Sequence, residues 1–330
     1  MFALWTGCES DSDEPNDQPA NGSARVLITC EGAFQGNSAS ISLYNEETSS
    51  VENNAFENVN AYGLGDVLQS VTEFDGKIYA VLNNSGKIEV MQKSTLESEL
   101  PINGLISPRE LVIVNSQKGY VSNLFTNNVQ ILDLESKTIT GNIDVNGWSE
   151  GMVLVGEKLF VSKSNGDKVM VIDITTDELV DSIAVTLGPQ NMDLDTDGMI
   201  WLATNGNFGA VEPKIHKIDP QDNTLIGTYD IPAPYSYAIK LAMNNTADQV
   251  YVLNNGVYTM FIGDNELSND ELISSNSAFY GLGIDPANGD IYVSDAGDFV
   301  SPGGVERYSE AGSLIDDFEV GIAPNGFLFR

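Results

Sequence analysis

One unit recurs along this chain, and its period constrains the fold more tightly than any overall property. The clearest copy reads Lys158-Leu-Phe-Val-Ser162, a polar corner Lys163-Ser-Asn-Gly-Asp167, Lys168-Val-Met-Val-Ile-Asp173, a second corner Ile174-Thr-Thr-Asp-Glu178, and Leu179-Val-Asp-Ser-Ile-Ala-Val185. Phe160, Val161, Val169, Val171 and Ile172 are aromatic or β-branched, and Asn, Gly, Asp and Thr bound the runs, so the unit reads as three strands and two turns. The carboxylate of Asp173 can accept a backbone N–H two residues on, which ends a strand and opens a turn. The run Val169 to Ile172 is almost continuously apolar, so that strand is expected to be covered on both faces.

Aligning on the aromatic of the first run gives Tyr79, Tyr120, Phe160, Trp201, Tyr251 and Tyr292, at spacings of 41, 40, 41, 50 and 41 residues. The next run follows each time, from Lys87-Ile-Glu-Val90 and Asn128-Val-Gln-Ile-Leu-Asp133 through Lys214-Ile-His-Lys-Ile-Asp219 to Gly304-Val-Glu-Arg-Tyr308. A further strand precedes each aromatic, as Leu111-Val-Ile-Val114 precedes Tyr120. Four strands in about 40–45 residues is the signature of a β-propeller blade. A seventh copy is divided between the termini: Val26-Leu-Ile-Thr29, Ser40-Ile-Ser-Leu-Tyr44 and Val51 to Phe56 supply three strands, and Gly326-Phe-Leu-Phe329 the fourth. The expected fold is therefore all-β, a seven-bladed β-propeller over residues 25–330, closed by pairing of the N- and C-terminal strands so that no open edge remains. No amphipathic helical pattern competes with it.

Lys and Arg number 15 against 48 Asp and Glu, a net charge of −33. That charge repels phosphate backbones and anionic membrane surfaces, so nucleic acid is not an expected partner. It serves either solubility in a salty medium or the steering of a cationic ligand. No apolar stretch of about 18 residues occurs to span a membrane as a helix.

Met1-Phe-Ala-Leu-Trp-Thr-Gly-Cys8 resembles the end of a bacterial lipoprotein signal peptide, with Cys8 as the lipidated residue. Seven residues are too few for a complete signal, so the precursor is expected to start upstream. Residues 9–24, acidic and without apolar content until the first strand, are expected to be a flexible tether. The acidic run after Cys8 resembles the surface-export tether of Bacteroidota lipoproteins. Cys30, inside an apolar run, is expected to be a small buried filler.

Candidate chemistry is sparse. His216 is the single histidine and alternates with Ile215 and Ile218 in a strand, which points to a structural role and leaves no Ser-His-Asp triad or multi-histidine metal site. Asp193-Leu-Asp-Thr-Asp-Gly198 looks like the opening of a calcium loop, but Thr204 stands at the twelfth position, where a bidentate Glu is needed. A hairpin turn is expected there instead. Neither catalytic residues nor a metal or cofactor site are expected.

The corners between second and third strands carry a Phe in four blades, namely Phe34, Phe125, Phe208 and Phe299, the last beside Asp298. Loops leading into the blades, on the same face of the ring, add Gln69, Arg109, Trp148, Glu150, Gln190, Asn191, Tyr235, Tyr237, Tyr280 and Asn325. Aromatic bodies with a few oriented polar groups make a preformed small-molecule site. The same aromatics could instead only plug the central channel or pack loop on loop.

Around these loops, Gly65-Asp-Val-Leu-Gln-Ser70, Asn83-Asn-Ser-Gly-Lys-Ile-Glu-Val90, Ser107-Pro-Arg109, Trp148-Ser-Glu-Gly-Met-Val153, Tyr280-Gly-Leu-Gly-Ile-Asp-Pro286, Ser294-Asp-Ala-Gly-Asp-Phe-Val300 and Gly321-Ile-Ala-Pro-Asn-Gly-Phe327 resemble the YncE-like surface-lipoprotein propellers of Bacteroidota. That group includes BtuG, which captures vitamin B12 and passes it to a TonB-dependent transporter. The resemblance implies a non-catalytic lipoprotein, lipid-anchored at the outer membrane and exposed on the cell surface, that binds cobalamin or another corrinoid on the top face of the ring. It implies a TonB-dependent outer-membrane transporter as partner. A lactonase- or hydrolase-like propeller, a quinoprotein and a structural or adhesive surface protein are the alternatives.

Overall fold

The computed structural model describes residues 25–207, 209–236, 239–275 and 279–330. The described residues form seven antiparallel sheets, and their innermost strands follow one another around a ring. These strands are Leu68–Phe74, Pro108–Ile113, Ser149–Val155, Pro189–Leu194, Lys240–Met243, Phe279–Ile284 and Pro324–Phe329, which define blades 1 to 7. Each packs against the next, and the seventh against the first. The protein is a seven-bladed β-propeller.

The seventh blade is built from both termini, as the sequence predicts. Pro324–Phe329 pairs antiparallel with Arg25–Cys30, in the register Val26↔Phe329, Leu27↔Leu328, Ile28↔Phe327 and Thr29↔Gly326. Ser40–Asn45 and Ser50–Glu52 complete the sheet. The inner edge of Arg25–Cys30 is thereby paired, and the closing strand packs against the innermost strands of blades 6 and 1.

The recurrent aromatic holds the blades together. Tyr120, Phe160, Trp201, Tyr251 and Tyr292 are fully buried and Tyr79 nearly so. Phe160 reaches Ile200 and Leu202 of blade 4, Tyr120 reaches Met152 and Leu159 of blade 3, and Tyr292 reaches Val26 and Ile28 of the closing blade. Burying one such side chain stabilises by roughly 2–3 kcal/mol, repeated around the ring. The turns follow their sequence signals too: Asp173 Oδ1 accepts the N–H groups of Thr175 at 2.8 Å and Thr176 at 3.2 Å.

Two expectations need correction. The stretch Val51 to Phe56 is not a strand: pairing stops at Glu52, Asn54 turns through the left-handed region at φ 57°, and Ala55–Asn60 is a one-and-a-half-turn helix. The helix places Ala55 and Phe56 in the core, with Phe56 edge-on to Tyr62 at 5.4 Å, so burial of those two side chains overrides the β pattern. Blade 5 has three regular strands among the described residues. Its outer edge is covered irregularly by the segment that donates Ser268 N–H to the Thr259 carbonyl and Leu272 N–H to the Val257 carbonyl.

Candidate ligand well at the mouth of the channel

The site grows out of a backbone irregularity. Pairing of the innermost strand with the second strand slips near the start in blades 1, 2, 3, 4 and 6, and the closing pair slips between Thr29 and Cys30. A bulge leaves a residue out of the ladder and re-aims its side chain. The residues freed this way are Gln69, Arg109, Glu150, Gln190, Tyr280 and Asn325, each second in its strand. Lys240, first in the innermost strand of blade 5, fills the remaining place. These seven, with Glu110, Asn191 and Asn205, line one cavity of about 410 Å³.

The ring is pre-paired. Arg109 donates Nε to Glu150 Oε1 at 2.6 Å and Nη1 to Gln69 Oε1. Tyr280 donates its hydroxyl to Glu31 Oε1 at 3.0 Å, and Asn325 donates Nδ2 to the same oxygen at 2.9 Å. Asn325 also accepts from Thr29 Oγ1 at 2.5 Å and donates to the Leu68 and Gln69 carbonyls. Lys240 Nζ donates to the Asn325 carbonyl at 2.8 Å and lies 5.1 Å from the centre of the Tyr280 ring. Asn191 clasps blade 5 by donating to the Leu241 carbonyl at 2.7 Å and accepting the Leu241 N–H at 3.2 Å.

Close approach at one point requires glycine. A Cβ on Gly151 would stand 2.3 Å from the Gln190 carbonyl oxygen, so the walls of blades 3 and 4 meet there with no room for a side chain.

Burial sets the electrostatics. It works against the charge on Arg109, but Glu150 outweighs it and the guanidinium pKa rises. Burial lowers the pKa of Lys240, which no carboxylate among the described residues approaches within 4 Å. Glu110 is pushed up to about 7, chiefly by burial, although it accepts the Met152 N–H at 2.8 Å. Burial and the neighbouring Glu31 raise Tyr280 well above the usual phenol range, so its hydroxyl remains a donor.

Of the residues expected at the site, Gln69, Arg109, Glu150, Gln190, Asn191, Tyr280 and Asn325 line the well. Phe34, Phe125, Trp148 and Phe299 do not. They are exposed instead, at 70%, 61%, 39% and 45%. Two of these Phe residues meet an aromatic edge-to-face, Phe125 with Trp148 at 5.3 Å and Phe299 with Tyr280 at 5.1 Å. Asp298 accepts the Val300 and Ser301 N–H groups and so shapes the Phe299 corner instead of facing the well. Phe208, Tyr237 and Cys8 lie outside the described residues.

Sequence reading missed Lys240, Glu110 and Asn205. Lys240 had a signal: the well residue precedes the buried aromatic by 10 positions at Gln69 and Glu150, 11 at Arg109 and Gln190 and 12 at Tyr280, and Lys240 is 11 before Tyr251. The conspicuous tyrosines of the preceding loop masked it.

Other candidate chemistry resolves as structural. His216 Nε2 accepts the Thr186 N–H at 3.0 Å, Nδ1 faces Thr228 Oγ1 at 3.0 Å, and burial brings its pKa down to about 4. Asp195 Oδ1 caps the hairpin by accepting from Asp197 and Met199, and Oδ2 takes the Trp201 indole N–H at 2.9 Å and pairs with Lys217 at 3.1 Å. Those oxygens have partners already. Cys30 is fully buried and its thiol is pushed up to about 11 by that burial. Among the described residues no group of three or more His, Cys, Asp or Glu side chains is placed to hold a metal ion.

A family described as a domain of unknown function (DUF5074) matches residues 25–320, the whole ring except the last strand and the end of the one before it. The chain belongs to this family. No curated protein sequence matches it. Among solved structures, this DUF5074 chain is similar to a quinonprotein alcohol dehydrogenase-like protein from Bacteroides thetaiotaomicron, with 17% identity over 93% of this chain and 78% of that one and a TM-score of 0.72. It is similar to the periplasmic gluconolactonase of Pseudomonas aeruginosa at 14% identity, covering 93% and 98%, TM-score 0.70. A functionally unknown protein from Desulfotomaculum acetoxidans gives 12% identity over 93% and 99%, TM-score 0.72. At such identities the likeness is one of fold, so function must be argued from the DUF5074 chain's own well.

Proposed function

We propose that this protein is a non-catalytic receptor that binds a small nutrient at the mouth of the propeller channel, with a corrinoid such as cobalamin as the ligand and a TonB-dependent transporter as the recipient. One observation carries the reading. The hydroxyls of the well are already committed as donors, Ser70 Oγ to the Arg109 carbonyl at 2.7 Å, Thr29 Oγ1 to Asn325, and the Tyr280 hydroxyl to Glu31. What remains is a rigid polar floor beneath exposed aromatic pairs, which suits recognition without chemistry. A cavity of about 410 Å³ is too small to swallow a corrin ring. The macrocycle would lie across Phe125, Trp148 and Phe299, with its polar edge groups reaching down to the amides of the well. The resemblance in the blade-leading loops supports the corrinoid, and the same resemblance supports lipidation at Cys8, a tether over residues 9–24 and display on the outer membrane.

Titration calorimetry of cyanocobalamin against micromolar protein tests the assignment. Phe125→Ala with Phe299→Ala should weaken binding by about 2 kcal/mol or more for each anchor removed. Absence of both heat and a spectral shift in the unaltered protein would discard the corrinoid. Labelling with a fatty-acid probe should depend on Cys8, and equal labelling of Cys8→Ala would refute the anchor.

A further inference from the structure

Several hydrogen-bond donors of the well have no acceptor on the protein, although Glu110 and Glu150 line the same cavity. Gln69 Oε1 is occupied by Arg109, which fixes the amide so that its NH₂ group is left for the cavity. Asn205 Oδ1 accepts the Ile239 N–H at 3.3 Å, with the same consequence for its Nδ2. Lys240 has three N–H donors, of which one goes to the Asn325 carbonyl. Arg109, the other cation of the ring, is satisfied by Glu150, whereas no described carboxylate reaches Lys240. The charges of Glu31, Glu150 and Glu110 act on Lys240 from beyond ion-pair distance, and Glu31 Oε1 is taken by Tyr280 and Asn325. The remaining N–H donors of an ammonium and two amide NH₂ groups thus line one cavity without a protein acceptor.

We propose that the well holds an oxyanion, a carboxylate or a phosphate ester, with Lys240 as its counter-ion and Gln69 and Asn205 as flanking donors. This deepens the receptor reading and rests on it for the existence of a ligand. The anion is either a free small acid or the acidic group of a larger ligand lying on the rim. The desolvation that lowers the Lys240 pKa is the physical drive: an oxyanion would restore to the ammonium what burial removes, and charge-assisted bonds of this kind are the strong ones. The net charge of −33 slows the approach of an anion but is screened beyond about 8–10 Å at physiological salt, so the local donors decide occupancy.

The ¹⁵N-labelled chain titrated with sodium acetate or inorganic phosphate, against sodium chloride at matched ionic strength, tests this. The side-chain amide signals of Gln69 and Asn205, assigned through Q69A and N205A, should shift saturably. Lys240→Met should weaken the response by about tenfold or more, while Lys240→Arg stays within about threefold. If K240M loses the fold, K240Q carries the same expectation. No saturable shift up to about 100 mM of either anion, or an unchanged response in K240M, would overturn the proposal. Cyanocobalamin separates the sources. Competition with phosphate places a phosphodiester of the ligand in the well, and independent binding assigns a separate acid. An intact anion response without cyanocobalamin binding removes the corrinoid and keeps the anion site. Cyanocobalamin binding with no anion response leaves the receptor and removes the oxyanion.

Discussion

Replacing Asn325 by Ala should cost the ring more than any other single amide in the channel, because Asn325 ties the last strand to the first blade. Its side chain takes part in four hydrogen bonds: it accepts from Thr29 Oγ1, and it donates to Glu31 Oε1, the Leu68 carbonyl and the Gln69 carbonyl, at distances of 2.5, 2.9, 3.3 and 3.1 Å. Only 4% of the residue is exposed. A neutral hydrogen bond contributes about 1 kcal/mol net and one to a carboxylate about 2 kcal/mol; the NH₂ group has two protons for its three acceptors, so the two carbonyls share one and the sum is about 4 kcal/mol. The well can admit water to some of the orphaned groups, so the expected loss is about 3–4 kcal/mol, read as a fall in urea midpoint at unchanged slope. Asn191→Ala is the internal control. It removes two bonds, both to Leu241, from a joint between blades 4 and 5 that the covalent chain already crosses, and should cost about 2 kcal/mol. Asn325→Asp should be no milder than Ala, since it loses the donors and sets a carboxylate against Glu31. A loss below about 1 kcal/mol in N325A, or one equal to that in N191A, would refute the claim that closure runs through this side chain.

Deleting Gly326 to Arg330 should unpair the inner edge of Arg25–Cys30 and yield aggregates by light scattering, and a soluble monomer with unchanged melting would contradict this. His216 and Glu110 should act on stability with opposite sign as pH falls. The folded pKa of His216 is depressed to about 4 from 6.5, so its contribution is present above about 6.5 and lost toward 4; His216→Gln should flatten the stability curve in that window, as followed by urea midpoints. The folded pKa of Glu110 is raised to about 7 from 4.5, so the unaltered protein gains stability as pH falls from 7 to 4.5. Glu110→Gln should therefore be more stable at pH 8, on the order of 1–3 kcal/mol, and no different below pH 4.5; no gain at pH 8 would show that the carboxylate is better solvated than its burial implies.

The fold was legible because its cause is periodic. An aromatic every 40 or 41 residues, with one interval of 50, is the side chain that plugs one blade onto the next, and six buried examples at the expected positions locate six blades without reference to the loops. Closure was legible for a related reason: Gly326 to Phe329 has the pattern of a strand and needs a partner, and Val26 to Thr29 lacks the strand that should precede it. The site was half legible. Gln69, Arg109, Glu150, Gln190 and Tyr280 stand 10–12 positions before the aromatic of their blades, Asn325 holds the equivalent place in the closing strand, and all line the well. The exposed aromatics were read into the same site because a Phe in a polar corner stands out in a sequence, while its distance from the well does not. Lys240 was overlooked for the converse reason, as one charged residue in a chain where exposed charge is common. The helix at Ala55–Asn60 escaped because six residues are too short to display a helical period, and its two buried side chains suit a strand equally well.

Closure and recognition share residues, and that has a physical consequence. Thr29 and Glu31 follow from the N-terminal strand, Asn325 belongs to the C-terminal one, and Lys240 reaches across the channel to the Asn325 backbone. The bulge between Thr29 and Cys30 that frees Asn325 for the well is also what aims it at Leu68 and Gln69 of blade 1. A ligand bonded to this network would therefore draw on a scaffold that is already ordered, so little conformational entropy remains to oppose binding. By linkage, the same ligand would favour the closed ring over any state in which the terminal strand has come away. The closing strand, tied to blade 1 through Asn325, is thus the one that ligand contact at the channel mouth would protect.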